Sequence, residues 1–161
     1  MINNVPSLYD RFFQFGYVTR DAVSATAQFG RRFGPVEWFT IPGAPEFPHV
    51  KQVAFAFRSG VNIEIIEVND AVPSLYKDSL PASPGDIRLH HLGYLVDDLA
   101  SMVERLRREE FDVPVVIDGS DIAKLCYADA RASLGHYLEY ICLGPEGRAM
   151  FEHIGGFNGF P

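Results

Sequence analysis

The chain has 161 residues, 47% of them hydrophobic and 22% charged, which suits one folded domain or two small modules sharing a core. Its formal charge of −7 argues against a nucleic-acid partner, because phosphate binding needs a basic face. No apolar run reaches the roughly 18 residues that span a bilayer, and Met1-Ile2-Asn3-Asn4-Val5-Pro6 lacks the basic and apolar regions of a signal peptide. A cytoplasmic protein with no membrane partner is expected. Cys126 and Cys142 lie in apolar, strand-like runs and read as buried, reduced thiols.

Residues 11–18 alternate and are rich in aromatics, which predicts a strand. Asp21 reads as the N-cap of a helix over about 22–33, with Ala22, Ala25, Phe29 and Phe33 on one face. Gly34-Pro35 stops that helix. Residues 36–41 read as a strand and 42–48 as a loop. Residues 52–57 and 61–68 read as strands joined by a tight turn at Ser59-Gly60. Residues 69–88 hold several prolines and no periodic pattern, so they read as a linker with a short helical turn near Ser74-Leu75-Tyr76. A strand over 89–96 follows. Asp98 then caps a helix over about 99–110, with Leu99, Val103 and Leu106 on one face. Strands over 113–117, 122–128 and 136–143 complete the pattern, with a loop at 131–135. The tail is apolar and Gly-rich, and is expected to pack on the domain or on a partner subunit.

The order strand–helix–strand–strand–strand therefore occurs twice within one domain. Module one covers about 10–70, the linker 71–88, module two about 89–145 and the tail 146–161. The local sequence repeats too. Gln14-Phe15-Gly16-Tyr17-Val18-Thr19-Arg20-Asp21 returns as His91-Leu92-Gly93-Tyr94-Leu95-Val96-Asp97-Asp98, an offset of 91 − 14 = 77. Each copy ends in a strand carrying one carboxylate among apolar residues, Glu64 and then Glu139, an offset of 139 − 64 = 75. The period is too long, and seen too few times, for a solenoid; it marks a duplicated supersecondary unit.

Side chains alternate faces along a strand. Gln14 is expected to share its face with Phe12, Gly16 and Val18, and Glu64 with Asn62 and Ile66. His91 goes with Leu89, Gly93 and Leu95, and Glu139 with Tyr137 and Ile141. Glu67 falls on the opposite face from Glu64 and reads as exposed. Buried carboxylates are costly and repel one another, and a divalent cation relieves both penalties. One imidazole and three oxygen donors suit Zn, Mn, Fe, Co or Ni with positions left open for water or substrate.

These segments carry a family resemblance. His90-His91-Leu92-Gly93-Tyr94-Leu95-Val96-Asp97-Asp98-Leu99, Ile63-Glu64-Ile65-Ile66-Glu67 and the linker Pro73-Ser74-Leu75-Tyr76-Lys77-Asp78 resemble the vicinal oxygen chelate superfamily, in its glyoxalase I and methylmalonyl-CoA epimerase-like branch. The resemblance spans about 10–145. It implies an α+β fold in which two tandem βαβββ modules make a curved mixed sheet around a metal site. It also implies one divalent ion held by the first and fourth strands of each module: Gln14 and Glu64, His91 and Glu139. That ligand set is the one in one form of glyoxalase I. Methylmalonyl-CoA epimerases usually carry His where Gln14 stands, and extradiol dioxygenases need two His, so Gln14 disfavours dioxygenase chemistry. By analogy with glyoxalase I the catalytic base is Glu139; Glu64 is the other candidate.

Trp38, Phe39, Phe55, Phe57 and Tyr137 lie in predicted strands and, with Phe151, are the candidate substrate-pocket residues. Arg and Lys do not cluster near the ligand positions, so a small, fairly hydrophobic substrate is expected. His90 and His153 are further candidates for proton transfer, although His90 is expected to face away from the metal. The function expected is a metal-dependent isomerase or lyase that moves a proton next to a chelated carbonyl/hydroxyl pair. The alternative is a non-catalytic protein that sequesters a drug or hydrophobic metabolite. Expected partners are a small-molecule substrate and a second copy of the chain in a homodimer.

Overall fold

Asp-capped helical segments and runs of aromatic and branched residues set the local structure of the protein, seen here in a computed structural model that describes residues 7–118 and 121–154. In chain order the elements are β1 (Phe12–Thr19), α1 (Ala22–Phe33), β2 (Phe39–Pro42), β3 (Val50–Arg58), β4 (Val61–Val68), a 3₁₀ turn (Lys77–Ser79), β5 (Arg88–Leu95), α2 (Leu99–Arg108), β6 (Val115–Ile117), β7 (Ala123–Asp129), α3 (Arg131–Leu134), β8 (Tyr137–Leu143) and α4 (Pro145–His153). The chain is α+β, and the βαβββ order occurs twice. No described helix is long and apolar enough to cross a membrane. The chain forms two compact units: residues 14–91 with Ile154, and, among the described residues, 7–13 with Leu92–His153.

In the unit of residues 14–91 the strand order is β2-β3-β4-β1. β1 runs parallel to β4, with Gln14 opposite Asn62 and Gly16 opposite Glu64. The β2–β3 and β3–β4 pairs are antiparallel, so the sheet is mixed. Ser59 and Gly60, at φ 51° and 78°, make the tight left-handed turn that lets β3 fold straight back as β4. Asp21 caps α1 by accepting from the Ser24 amide at 3.0 Å, and Gly34 ends it at φ 99°. Ala22 and Ala25 are buried. Phe33, in the last helical turn, is 70% exposed, against expectation, with its ring 4.9 Å from that of Phe29.

β2 begins three residues later than predicted, since only Phe39–Pro42 pairs with β3. Trp38 thus precedes the strand and packs edge-on against Phe29 at 5.5 Å, in the cluster of Ala25, Ala54 and Ile65 under α1. Glu67 lies on the opposite face from Glu64, as expected, but it is not exposed. It accepts from the Ala22 amide at 3.0 Å and from Gln52 Nε2 at 2.6 Å, so its carboxylate sits at the N-terminus of α1, where the helix dipole favours negative charge. The linker is stitched down: Thr19 Oγ1 donates to the Asp86 carbonyl at 2.8 Å, Arg20 Nε to Pro81 at 2.8 Å and Gln28 Nε2 to Gly85 at 3.1 Å. Its helical turn falls at Lys77–Ser79, slightly beyond the predicted place.

In the other unit the order is β5-β8-β7-β6. Asp98 caps α2 by accepting from the Ser101 amide at 3.1 Å. Leu99, Val103 and Leu106 bury against Tyr94, Cys126, Leu138 and Tyr140, and Phe12 packs on this cluster. Burial pushes the Cys126 thiol up to about 12. Cys142 is only half-buried, correcting the expectation for it; its Sγ donates to the Asp97 carbonyl at 3.4 Å. The expected loop at 131–135 is the short helix α3, whose backbone closes on Ala130 O and ends at Gly135, φ 83°. The start of the tail is the helix α4, where Phe151 is buried with its ring 5.2 Å from Phe13. The rest of the tail, 155–161, lies outside the described residues.

Candidate metal centre

Parallel pairing of β1 with β4 brings Gln14 and Glu64 to one face of the first unit. Residues opposite one another on neighbouring strands share a face. One cross-strand row therefore runs Phe39, Phe55, Glu64, Gly16, and the next runs Phe57, Asn62, Gln14. The imidazole of His91 lies over Gly16. A Cβ on Gly16 would stand 2.0 Å from His91 Cε1 and Nε2, so this strand position accepts no side chain.

Three donor groups converge there. His91 Nε2 is 3.1 Å from Glu64 Oε2, Gln14 Nε2 is 3.4 Å from the same oxygen, and the two nitrogens are 3.3 Å apart. Gln14 and His91 are fully buried, at 2% and 0% exposure. Ligands held at about 2.0–2.2 Å from one ion stand roughly 3.0–3.5 Å from each other, so these separations fit a shared divalent cation. As oriented, Gln14 turns its amide nitrogen inward while Oε1 accepts from Asn62 Nδ2 at 2.9 Å. Ligation needs the oxygen inward. Asn62 Oδ1 is buried with no hydrogen-bond partner among the described residues. Turning both amides over keeps the Gln14–Asn62 bond with its polarity reversed, and presents Gln14 Oε1 to the site.

The remaining site candidates are distributed as follows. Glu139 lies in the other unit, buried in β8 and paired with Tyr127 of β7. Tyr137, also buried, has its ring 6.1 Å from Tyr127 and under the Arg131 guanidinium at 4.7 Å. Phe39, Phe55 and Phe57 share the ligand face of their sheet. Trp38 does not: its indole belongs to the α1 cluster on the face of Ala54 and Ile65. Phe151 packs on Phe13, and His153 is exposed at the end of α4. His90 is buried, and its Nδ1 lies 3.0 Å from His91 Nδ1, the ring nitrogen of His91 that is not turned to Glu64. Asn62 and His90 are the residues whose importance strand alternation underrates. The only sequence signals for them are an amide two residues before Glu64 and the doubled histidine.

The glyoxalase/bleomycin resistance protein/dioxygenase superfamily model matches residues 13–127. The chain belongs to that superfamily. Its architecture is also that of solved members of the fold. Methylmalonyl-CoA epimerase from Mycobacterium tuberculosis superposes with a TM-score of 0.67 at 16% identity, covering 90% of this chain and 95% of that one. A hypothetical protein from Bacillus halodurans gives 0.63 at 13% identity, covering 81% and 92%. A variant of Streptomyces coelicolor methylmalonyl-CoA epimerase, in complex with 2-nitronate-propionyl-CoA, gives 0.62 at 16%, covering 81% and 95%. At these identities the likeness is one of fold. No curated protein matches the sequence. The superfamily match ends at Tyr127, short of Glu139.

Proposed function

We propose that the protein is a divalent-metal-dependent isomerase or lyase of the glyoxalase–epimerase type, moving a proton next to a carbonyl/hydroxyl pair of a small, fairly hydrophobic substrate. The observation that carries this reading is the convergence of Gln14, Glu64 and His91 at 3.1–3.4 Å in a buried setting, at separations that suit ligands of one ion. Glu139 completes the ligand set in this reading. It repeats the place of Glu64 in the second module, and it is buried. Zn, Mn, Fe, Co and Ni all suit such donors.

A cation bound there supplies Lewis-acid neutralisation of charge developing on a substrate oxygen, which acidifies the adjacent C–H. Glu139 takes that proton as a carboxylate and, as the carboxylic acid, returns it to the substrate; Glu64 is the alternative base. Gln14 and His91 remain as holding groups. Phe39, Phe55 and Phe57 line the ligand face and favour an apolar substrate body. The epimerases among the similar structures support a proton-transfer class. The same phenylalanine face would also serve a non-catalytic binder of hydrophobic molecules. A homodimer is proposed with the enzyme reading, and light scattering checks it.

Metal analysis separates the two readings. Protein purified without chelator is expected to carry a stoichiometric divalent ion, and Glu139→Gln to abolish turnover while substrate still binds. Metal-free protein whose stability does not change in EDTA, and which still captures apolar ligands, would establish the binder instead.

A further inference from the structure

We propose that His90 is a positioning residue, which holds the His91 imidazole with its proton on Nδ1 and its Nε2 turned to the site. The inference rests on the metal-site reading for its purpose but not for its geometry.

His90 Nε2 lies 3.3 Å from the Leu75 carbonyl, and His90 Nδ1 lies 3.0 Å from His91 Nδ1. A carbonyl oxygen can only accept, so His90 carries its proton on Nε2. The Nδ1 of that neutral ring is then an acceptor, and His91 Nδ1 must donate to it. This leaves Nε2 as the His91 nitrogen that meets Glu64 Oε2 at 3.1 Å and Gln14 Nε2 at 3.3 Å. A metal-binding imidazole commonly donates its second N–H to a neighbouring acceptor, which fixes the ring and its tautomer. Here that acceptor is another imidazole.

The chain of bonds has an anchor outside the strand. Leu75 belongs to the linker, just ahead of the 3₁₀ turn at Lys77–Ser79. Tyr76 packs its ring 4.8 Å from His90, and His49 lies 5.7 Å beyond Tyr76. His90 is itself 1% exposed, so solvent does not compete for either nitrogen. The linker thereby reaches the site through one ring, 15 residues from Leu75 in sequence.

The test uses histidine-labelled, metal-free protein and long-range proton–nitrogen NMR. In the wild type His91 Nδ1 is expected to bear a hydrogen, and His90 to be the Nε2–H tautomer. His90→Asn keeps an acceptor close to where Nδ1 stood and is expected to hold His91 as in the wild type. His90→Leu removes the acceptor; His91 is expected to become a mixture of tautomers, and zinc affinity to fall roughly 10–100-fold, the range for loss of an outer-shell partner. His91 found without a proton on Nδ1 in the wild type overturns the proposal. So does a His90→Leu variant whose His91 tautomer and zinc affinity equal those of His90→Asn. If the tautomers behave as expected but no variant or wild type binds zinc, manganese, iron, cobalt or nickel, the positioning role stands and the metal-enzyme reading fails.

Discussion

At the scale of single residues, Gly16 and Gly30 are chemically identical and structurally opposite. Both were visible in the sequence, yet only the packed structure separates them. A Cβ on Gly16 meets the His91 ring at 2.0 Å, whereas one on Gly30 in α1 meets nothing within 4 Å. Gly16→Ala must therefore push the imidazole off its place. Overpacking of this kind costs about 1–3 kcal/mol, and zinc affinity is expected to drop by roughly 100-fold, the upper end for a displaced ligand shell. Gly30→Ala fills open space in a helix and is expected to gain up to about 1 kcal/mol with metal binding unchanged. Chemical denaturation and zinc titration of both variants check the pair; equal effects would mean that His91 does not occupy the space over Gly16. A glycine stands two residues after Gln14 because the residue opposite Glu64 must leave room for the His91 ring.

At the scale of elements, both long helices start the same way. The Asp21 carboxylate is held below its ordinary value chiefly by the Ser24 amide, then by the Ser24 hydroxyl. The Asp98 carboxylate is held low chiefly by the Ser101 hydroxyl, then by the Ser101 amide. A folded-state value below the unfolded one contributes stability that is complete above the ordinary carboxylate value of 3.8 and is lost as pH falls through the lowered one. Replacing both by Asn keeps a capping oxygen but removes the charge. The double variant is expected to melt below the wild type at pH 7 and to converge with it near pH 2. Thermal unfolding by circular dichroism at several pH values checks this, and a melting difference constant across that range would remove the charge from the capping account. These helix starts were legible because a cap is a local device: Asp21 and Asp98 each reach an amide three residues on. The ends of β2 and β6 were less legible. A strand stops where its partner does, and the partner's position is not a local property.

At the scale of the whole molecule, a ligand that binds only the folded chain stabilises it by mass action. At a hundredfold excess over its dissociation constant, a divalent ion adds about 2.7 kcal/mol, or roughly 5–10 °C in melting temperature for a protein of this size. A rise of this order with at least one of zinc, manganese, iron, cobalt or nickel, reversed by EDTA, is the expected result. No shift with any of the five would sink the metal centre.

The sequence by itself determined the two βαβββ modules, the helix caps and the identity of Gln14, Glu64, His91 and Glu139 as ligand candidates. Alternation, capping and a repeat of 77 residues are readable along the chain. The tertiary structure alone decided that Gln14, Glu64 and His91 meet at 3.1–3.4 Å, that Asn62 holds the first and that Leu75 reaches the last through His90. It also moved Trp38 out of the candidate pocket and gave Glu67 a structural task. The reason is physical. A strand's period says which residues share a face, but a hydrogen bond between positions 14 and 62, or 75 and 90, depends on register and loop path, and these are set only when the elements pack.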